Sequence, residues 1–510
     1  VACGHPITAA AAEEMLCEGG NAFDAVVAAF FASCVAEPAL SSLGGGGYLL
    51  AQQTGREPLV YDFFVQTPLR TPVGCDLEFY PIHADFGTTT QEFHIGLGAV
   101  ATPGAVRGAF TIHRDLCSLP MPRLVEPAVR AARQGFQVDR LQAGIFDIIR
   151  PIFQATPEVA ATYGSAVQPG TLVREGETLR QEAMGRTIEA LSRDGDGLFY
   201  EGEIGARIVS LCEDGGGLLG REDLKRYGVE RRLPLRVDYR GASLLTNPPP
   251  SSGGILLAFA LRLLEACELG AMAYGGYAHL DLLARVMVLT NKARADLLAS
   301  SQQEDALGLL DDAYLQRYRE EVLANSHCGR GTTHISVIDA AGNVAAMTVS
   351  NGEGCGHQVP DTGVMLNNML GEEDINPGGF HRWQPGRRMS SMMSPSLLRL
   401  PGGGQMVLGS GGSNRIRTAM LQVVSNLVDF GMDARRAVAS PRIHYERDHL
   451  SVEPGYAEPE LERLLAVYPR HKRWDDLNLF FGGVHTVELR QGRFSAAGDP
   501  RRGGMGRVVS

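Results

Sequence analysis

The stretch GRGTTHISVIDAAGNVAAMTVSN, Gly329 to Asn351, decides how the chain is built. Its two arms, THISVID and NVAAMTVS, alternate apolar and polar residues with a period of two around the turn AAG, which predicts a β-hairpin. A symmetric turn sets Ile338 opposite Val344, so paired numbers sum to 682 and Thr332 falls opposite Ser350. A slip of one residue brings Asn351 there instead. Two threonines and a histidine directly after Gly-Arg-Gly are not what a plain surface strand needs. A threonine hydroxyl is a weak nucleophile without a base, and no His-Asp pair follows at a useful spacing. If the chain is cut just before Thr332, its freed α-amine can serve as that base.

Upstream, Gln303 to Gly331 is charged, then small and polar, and ends in glycines, which reads as an exposed linker open to cutting. Downstream, GQMVLGSGGSNRIRTAMLQVVSNLVDFG predicts a strand, a glycine turn and an amphipathic helix ending at Gly431. The N–H groups of Gly411 and Gly412 beside a helix start suit an oxyanion, although strand-Gly-Gly-helix is by itself commonly just a tight turn.

Helices dominate the rest. Thr8 is positioned to cap AAAAEEMLCE, and Asn21 with Asp24 starts an apolar helix running to Ala36, before Pro38. SSLGGGGYLLAQQ leads into a strand from Tyr48; it lacks the lysine and following helix of a phosphate loop. Helical spacing recurs in EPAVRAARQGF, GRTIEALSRDG and AHLDLLARVMVLTNKARADLL. NPPPSSGG is a rigid loop in which Ser251 and Ser252 are expected to cap the next helix.

A net charge of −11 argues against nucleic acid or an anionic membrane as partner. The longest apolar run, Ala25 to Ala36, is shorter than the ~20 residues of a membrane span. Nine scattered cysteines without C-x-x-C read as free thiols in a reducing, cytoplasmic setting. Cys355 reads as a buried structural thiol. A start at Val1 leaves a removed leader open. No spacing of His, Cys, Asp or Glu suits a metal, and no cofactor is expected.

GGNAFDAVVAA, EPALSSLGGGGYLL, ATPGAVRG, NPPPSSGG, GTTHISVIDAAGNVAAMT, TGVMLNN, SSMMSP, LGSGGSNRI and GDPRR occur in that order. On these stretches the chain resembles the γ-glutamyltranspeptidases, members of the N-terminal nucleophile (Ntn) hydrolases. The resemblance implies an α+β fold, a four-layer αββα sandwich. It also implies a precursor that cuts itself between Gly331 and Thr332, leaving subunits 1–331 and 332–510 bound together as one domain. Thr332 becomes the nucleophile, Gly411 and Gly412 the oxyanion hole, and Ser350 replaces a family threonine that bonds the nucleophile. The family asparagine two residues on falls on Gly352, with Asn351 as its neighbour and candidate substitute. Thr333 and His334 read as strand and packing residues. Ser390 and Ser391 correspond to serines that contact the substrate carboxylate, but the extra methionine in SSMMSP leaves open which faces inward.

Substrate recognition departs from the family. The arginine that grips the γ-glutamyl carboxylate is Phe64 in DFFVQTP. Of the two groups that hold the α-amine, one position is Met369 and the other, Glu372, keeps its acid. Arg70, Arg382, Arg387 and Arg388 are the candidates for a rebuilt clamp. The expected activity is acyl transfer from a small amide or acyl substrate, to water or an amine, with an acyl group other than plain γ-glutamyl. A true γ-glutamyl hydrolase with a rebuilt clamp, a C–C bond hydrolase of a specialised biosynthetic pathway, and an unprocessed non-enzymatic homologue remain alternatives.

Overall fold

The computed structural model describes residues 1–72, 76–85, 90–299, 306–320, 332–376 and 378–509. Two antiparallel sheets face each other. The first has seven strands in the order Met505–Gly506, Ala2–Cys3, Thr333–Ile338, Val344–Ser350, Gly46–Gln52, Leu59–Phe63 and Glu230–Arg232. The second has six, in the order Arg493–Ala497, Gly483–Arg490, Gln405–Gly411, Ser396–Arg399, Ala242–Thr246 and Leu235–Tyr239. Both sheets combine strands from before and after the 331–332 junction, intermixed in the first and as adjoining blocks of four and two in the second, so neither half completes a sheet without the other.

The period-two pattern sorts side chains into layers. On the first sheet Leu49, Ala51, Ile335, Val337, Ala345, Met347 and Val349 pack with the helices Pro6–Cys17 and Ala22–Ala36. Tyr48, Leu50, Ile338, Val344 and Ala346 point the other way and meet Leu245, Leu397, Val407 and Val487 of the second sheet. On that sheet's far side Leu244, Met406 and Leu408 join the helices Ser252–Leu264, Tyr277–Ala299 and Arg415–Val428. Helices, sheet, sheet, helices: this is the αββα sandwich expected from the family stretches.

The Ala22–Ala36 helix is buried at every residue, and Asn21 caps it through a reciprocal box with Asp24. The first helix departs from the sequence reading. It starts at Pro6, not after Thr8, because His5 Nδ1 accepts the Ile7 N–H and proline suits the first turn. Thr8 instead donates its hydroxyl to Glu37 at 2.7 Å. The expected linker is also partly structured. Ala306–Leu310 and the helix Asp312–Glu320 bury Leu309, Leu315 and Tyr318, apolar positions that the charged residues between them obscured. Residues 321–331 lie outside the described part, so the linker's end is not covered.

The helix after the glycine turn ends at Val428 and is buried around its whole circumference rather than on one face. Its polar positions have internal partners: Thr418 pairs with His444 and Gln422 donates to the Ile443 carbonyl. No helix among the described residues is long and apolar enough to cross a membrane.

Candidate active site

The hairpin register is the expected one, Ile338 opposite Val344 and Thr333 opposite Val349. Thr332 precedes the first arm by one residue, and continuing the ladder sets it across from Ser350, which itself pairs with Gly46. Even-numbered residues of this arm face the second sheet. There His334 hydrogen-bonds Thr348 at 2.7 Å and Ser336 at 2.9 Å. Burial, helped by nearby His485, holds the His334 imidazole well below its usual pKa, so it is neutral. Thr333 faces the helices and donates to Glu37 at 2.9 Å. Both residues therefore have the structural roles read from sequence.

Thr332 and Ser350 are each 3% exposed. The Ser350 hydroxyl oxygen accepts the Gly352 N–H at 3.0 Å, which leaves its proton available to donate across the ladder toward Thr332. Gly411 ends the central strand of the second sheet, and a Cβ there would collide with the Thr332 carbonyl. Gly412 follows at φ +121°, a conformation that favours glycine. The next helix starts three residues later, at Arg415. The structure thus brings Thr332, Ser350, Gly411 and Gly412 together. Gly331 lies outside the described residues.

The recognition candidates read from sequence are placed as follows. Asn351 is buried; its Nδ2 donates to the Leu366 carbonyl at 3.4 Å, and its Oδ1 has no protein partner. Gly352 has φ +66°, and a Cβ there would run into Asn368 Oδ1 and Glu372 Oε1. A glycine at this position lets the Glu372 carboxylate approach the hairpin end. Asn351 is thus the buried side chain beside this bend, its Oδ1 without a protein partner.

Phe64 and Met369 are buried in one apolar cluster with Leu370, Ile375, Met389 and Met393. Phe64 stacks on Tyr48 with ring centroids 5.5 Å apart. The candidate clamp arginines are largely committed elsewhere. Arg388 lies 3.3 Å from Asp62 and donates to Tyr227, Gly228 and the Phe64 carbonyl. Arg70 pairs with Glu213, while Arg387 bonds Gln384 at the exposed edge of its loop. Arg382 is exposed.

Ser391 is turned inward. Its Oγ accepts the Met393 N–H, and its carbonyl receives the Ser252 and Gly253 N–H groups. The half-buried Ser390 hydroxyl pairs with Ser252 at 3.2 Å. Ser251 and Ser252 do not cap their helix by side chain. Ser251 donates instead to the Ser391 and Met393 carbonyls, because the 390–393 loop lies across the helix start. Burial pushes the Cys355 thiol far up, in keeping with a structural role.

Sequence reasoning missed two features beside the site. Arg502, quoted only within GDPRR, donates to the Thr332 carbonyl at 3.0 Å. Phe79 stacks on His94 at 4.6 Å, and Phe380 and His381 meet these rings edge-on or tilted with centroids 4.4–5.4 Å apart, near Gly371. The first was signalled by adjacent arginines in a glycine-bounded tail; the second comes from two distant segments and carried no local signal.

Two facing sheets between helix layers, with a threonine entering the ladder beside a glycine turn, define the Ntn-hydrolase class. The family model described as "Gamma-glutamyltranspeptidase" matches residues 8–509, and the chain belongs to that family. It is 30% identical over 485 residues to the acylase ACY 1 proenzyme of Pseudomonas sp. strain V22, covering 91% of this chain and 86% of that one. Identity to the glutathione hydrolase proenzyme of Escherichia coli K12 is 28% over 495 residues, covering 89% and 82%. Cephalosporin acylase from Bacillus halodurans superposes with a TM-score of 0.84 at 24% identity over 99% of this chain and 95% of that one, a likeness of fold. The protein is accordingly an enzyme of the hydrolase and acyltransferase kind.

Proposed function

We propose that the chain is a self-processing Ntn acyl hydrolase or transferase whose nucleophile is Thr332 and whose acyl group is not γ-glutamyl. In the precursor the Thr332 hydroxyl attacks the Gly331 carbonyl. The C–N bond breaks as the acyl group passes from nitrogen to oxygen, and water then hydrolyses the ester, leaving a free Thr332 amine and the Gly331 carboxylate. In the mature enzyme that amine takes the hydroxyl proton as Oγ1 attacks the substrate carbonyl. Gly411 and Gly412 face the oxyanion, Ser350 donates to the nucleophile, and the acyl-enzyme is released to water or an amine. The interleaved sheets keep the two products of cleavage, 1–331 and 332–510, as one body.

The observation that carries the substrate reading is the shared apolar cluster of Phe64 and Met369. A γ-glutamyl carboxylate and ammonium set against that wall lose partners on both sides. Loss of one partner of a buried charge pair costs about 2–5 kcal/mol, or tens to several thousandfold in affinity. The acylase name of a 30%-identical relative is consistent with a less polar acyl group. Glu372 keeps one acid of the clamp, and relatives named glutathione hydrolase favour a second reading, in which an arginine of the 382–388 loop takes the carboxylate. Comparing glutathione with amides of uncharged aliphatic and aromatic acids separates them. Faster acylation of Thr332 by an uncharged acyl group, read by intact mass, is expected; preference for glutathione would overturn the reading.

A further inference from the structure

GDPRR is a motif that the reaction above leaves without a task, and its arginines differ in one respect. Arg501 is paired with Glu453 and Asp499, and Arg442 takes the other Asp499 oxygen at 2.6 Å. Arg502, only 7% exposed, has no carboxylate within 4.0 Å among the described residues. Its Nη1 donates to the Thr332 carbonyl, and its Nε has no hydrogen-bond partner. A Cβ on Gly411 would lie 3.2 Å from Nη1, and one on Gly412 3.4 Å from Nη2. The guanidinium therefore lies against both the glycine turn and the nucleophile residue. Burial brings its pKa down to about 10, which still leaves it charged at neutral pH.

A buried cation with no carboxylate in contact is costly to desolvate. Packing alone gives no reason to keep it. Its position gives one. The carbonyl it holds belongs to the residue whose amine must be an unprotonated base, so cation and amine are on the order of 5 Å apart. We propose that Arg502 is a positioning residue: it clamps the Thr332 carbonyl and, as a buried charge with no carboxylate in contact, keeps the freed Thr332 amine unprotonated. At an effective dielectric of ~20, a unit charge at that range lowers an ammonium pKa by about two units.

The other charged groups near Thr332 are of both signs, and Asp499 and Glu37 act on Arg502 from beyond contact distance. Glu37, behind Thr333, is engaged by the Thr8 and Thr333 hydroxyls. His334 and His485 face each other as neutral rings, the latter pulled down to about 4 by burial. Asp499 is held by Arg442 and Arg501, and Arg415 of the following helix adds positive charge. Glu353 and Glu372 approach from the far loop.

The inference rests on self-cleavage at Thr332, and the test separates the two. Processed native protein is competitively labelled with acetic anhydride across pH 5–9, and the peptide beginning at Thr332 is followed by mass spectrometry. Its amine should titrate at least one unit below the ordinary α-amino range of about 7.7–8.0. Arg502→Gln should raise that value by about one unit or more, and Arg502→Lys should restore most of the shift. An ordinary native titration in a cleaved chain overturns the role of Arg502 while leaving self-cleavage intact; an uncut native chain removes both. If Arg502→Gln stays unprocessed, the native value and Arg502→Lys decide. A lysine variant that is processed but titrates normally contradicts the proposal.

Discussion

The two ends of the candidate site are built from different materials. Around Thr332 the geometry is made by backbone: Gly411 and Gly352 each sit where a Cβ would strike the Thr332 carbonyl or the Asn368 and Glu372 side chains. Around Phe64 and Met369 it is made by side chains, in a cluster where one apolar residue can replace another at modest cost. The first end admits almost no change, whereas the second tolerates apolar exchange, which is what the proposed acyl pocket requires. That contrast would let the proposed acyl pocket change while the backbone around Thr332 stays fixed.

The largest effect should come from crowding the backbone end. Gly411→Ala should abolish processing or slow it at least about 10³-fold, comparable to losing an oxyanion donor, as read from the time course of band appearance on a denaturing gel. Near-native processing in a folded Gly411→Ala chain would mean that the close approach is not required. Acid should then separate site from scaffold. His485 beside the site and His279 in the outer helical layer are both pulled down to about 4 by burial. The unfolded chain takes up these protons first, so their stability is present above pH 6.5 and is lost as pH falls toward 4. Each contributes about 2 kcal/mol of loss by pH 5. Urea midpoints from pH 7 to 5 should fall steeply, and less so in His279→Asn and His485→Asn; unchanged slopes in both variants would contradict the assignment.

Ser350→Ala should slow processing and turnover together by ~10–100-fold, the cost of one well-placed hydrogen bond, while Ser350→Thr stays within a few-fold. Unchanged rates in the alanine variant would pass the role to Asn351. The smallest effect belongs to the apolar end. Phe64→Arg alone would set a second guanidinium near Arg388, so a gain needs the paired change Phe64→Arg with Met369→Gln. Glutathione hydrolysis should rise by about tenfold in that double variant, from a native kcat/KM below about 10⁴ M⁻¹s⁻¹. A native value above that range would mean that the clamp had been rebuilt elsewhere.

The same contrast governs what the sequence revealed. The hairpin register was legible because periodicity and turn length leave little choice, and the Gly-Gly turn because glycines mark close approach. The start of the first helix was misread because proline and His5 outcompeted Thr8, whose hydroxyl serves a tertiary contact with Glu37. Ser251 and Ser252 were misread for the same reason: the loop at 390–393 claimed their hydroxyls. Arg502 and the Phe79–His381 aromatic group depend on contacts between segments more than a hundred residues apart, which no local pattern encodes.

Everything in the account depends on Thr332 freeing its own amine. Native protein and Thr332→Ala, purified side by side, can be compared by intact mass and by sequencing the small chain from its N-terminus. On this account the native protein should show a cut between Gly331 and Thr332, with a small chain beginning Thr-Thr-His, and the variant should keep that bond intact. Cleavage of Thr332→Ala at the same bond, or a native protein that stays whole, would contradict it.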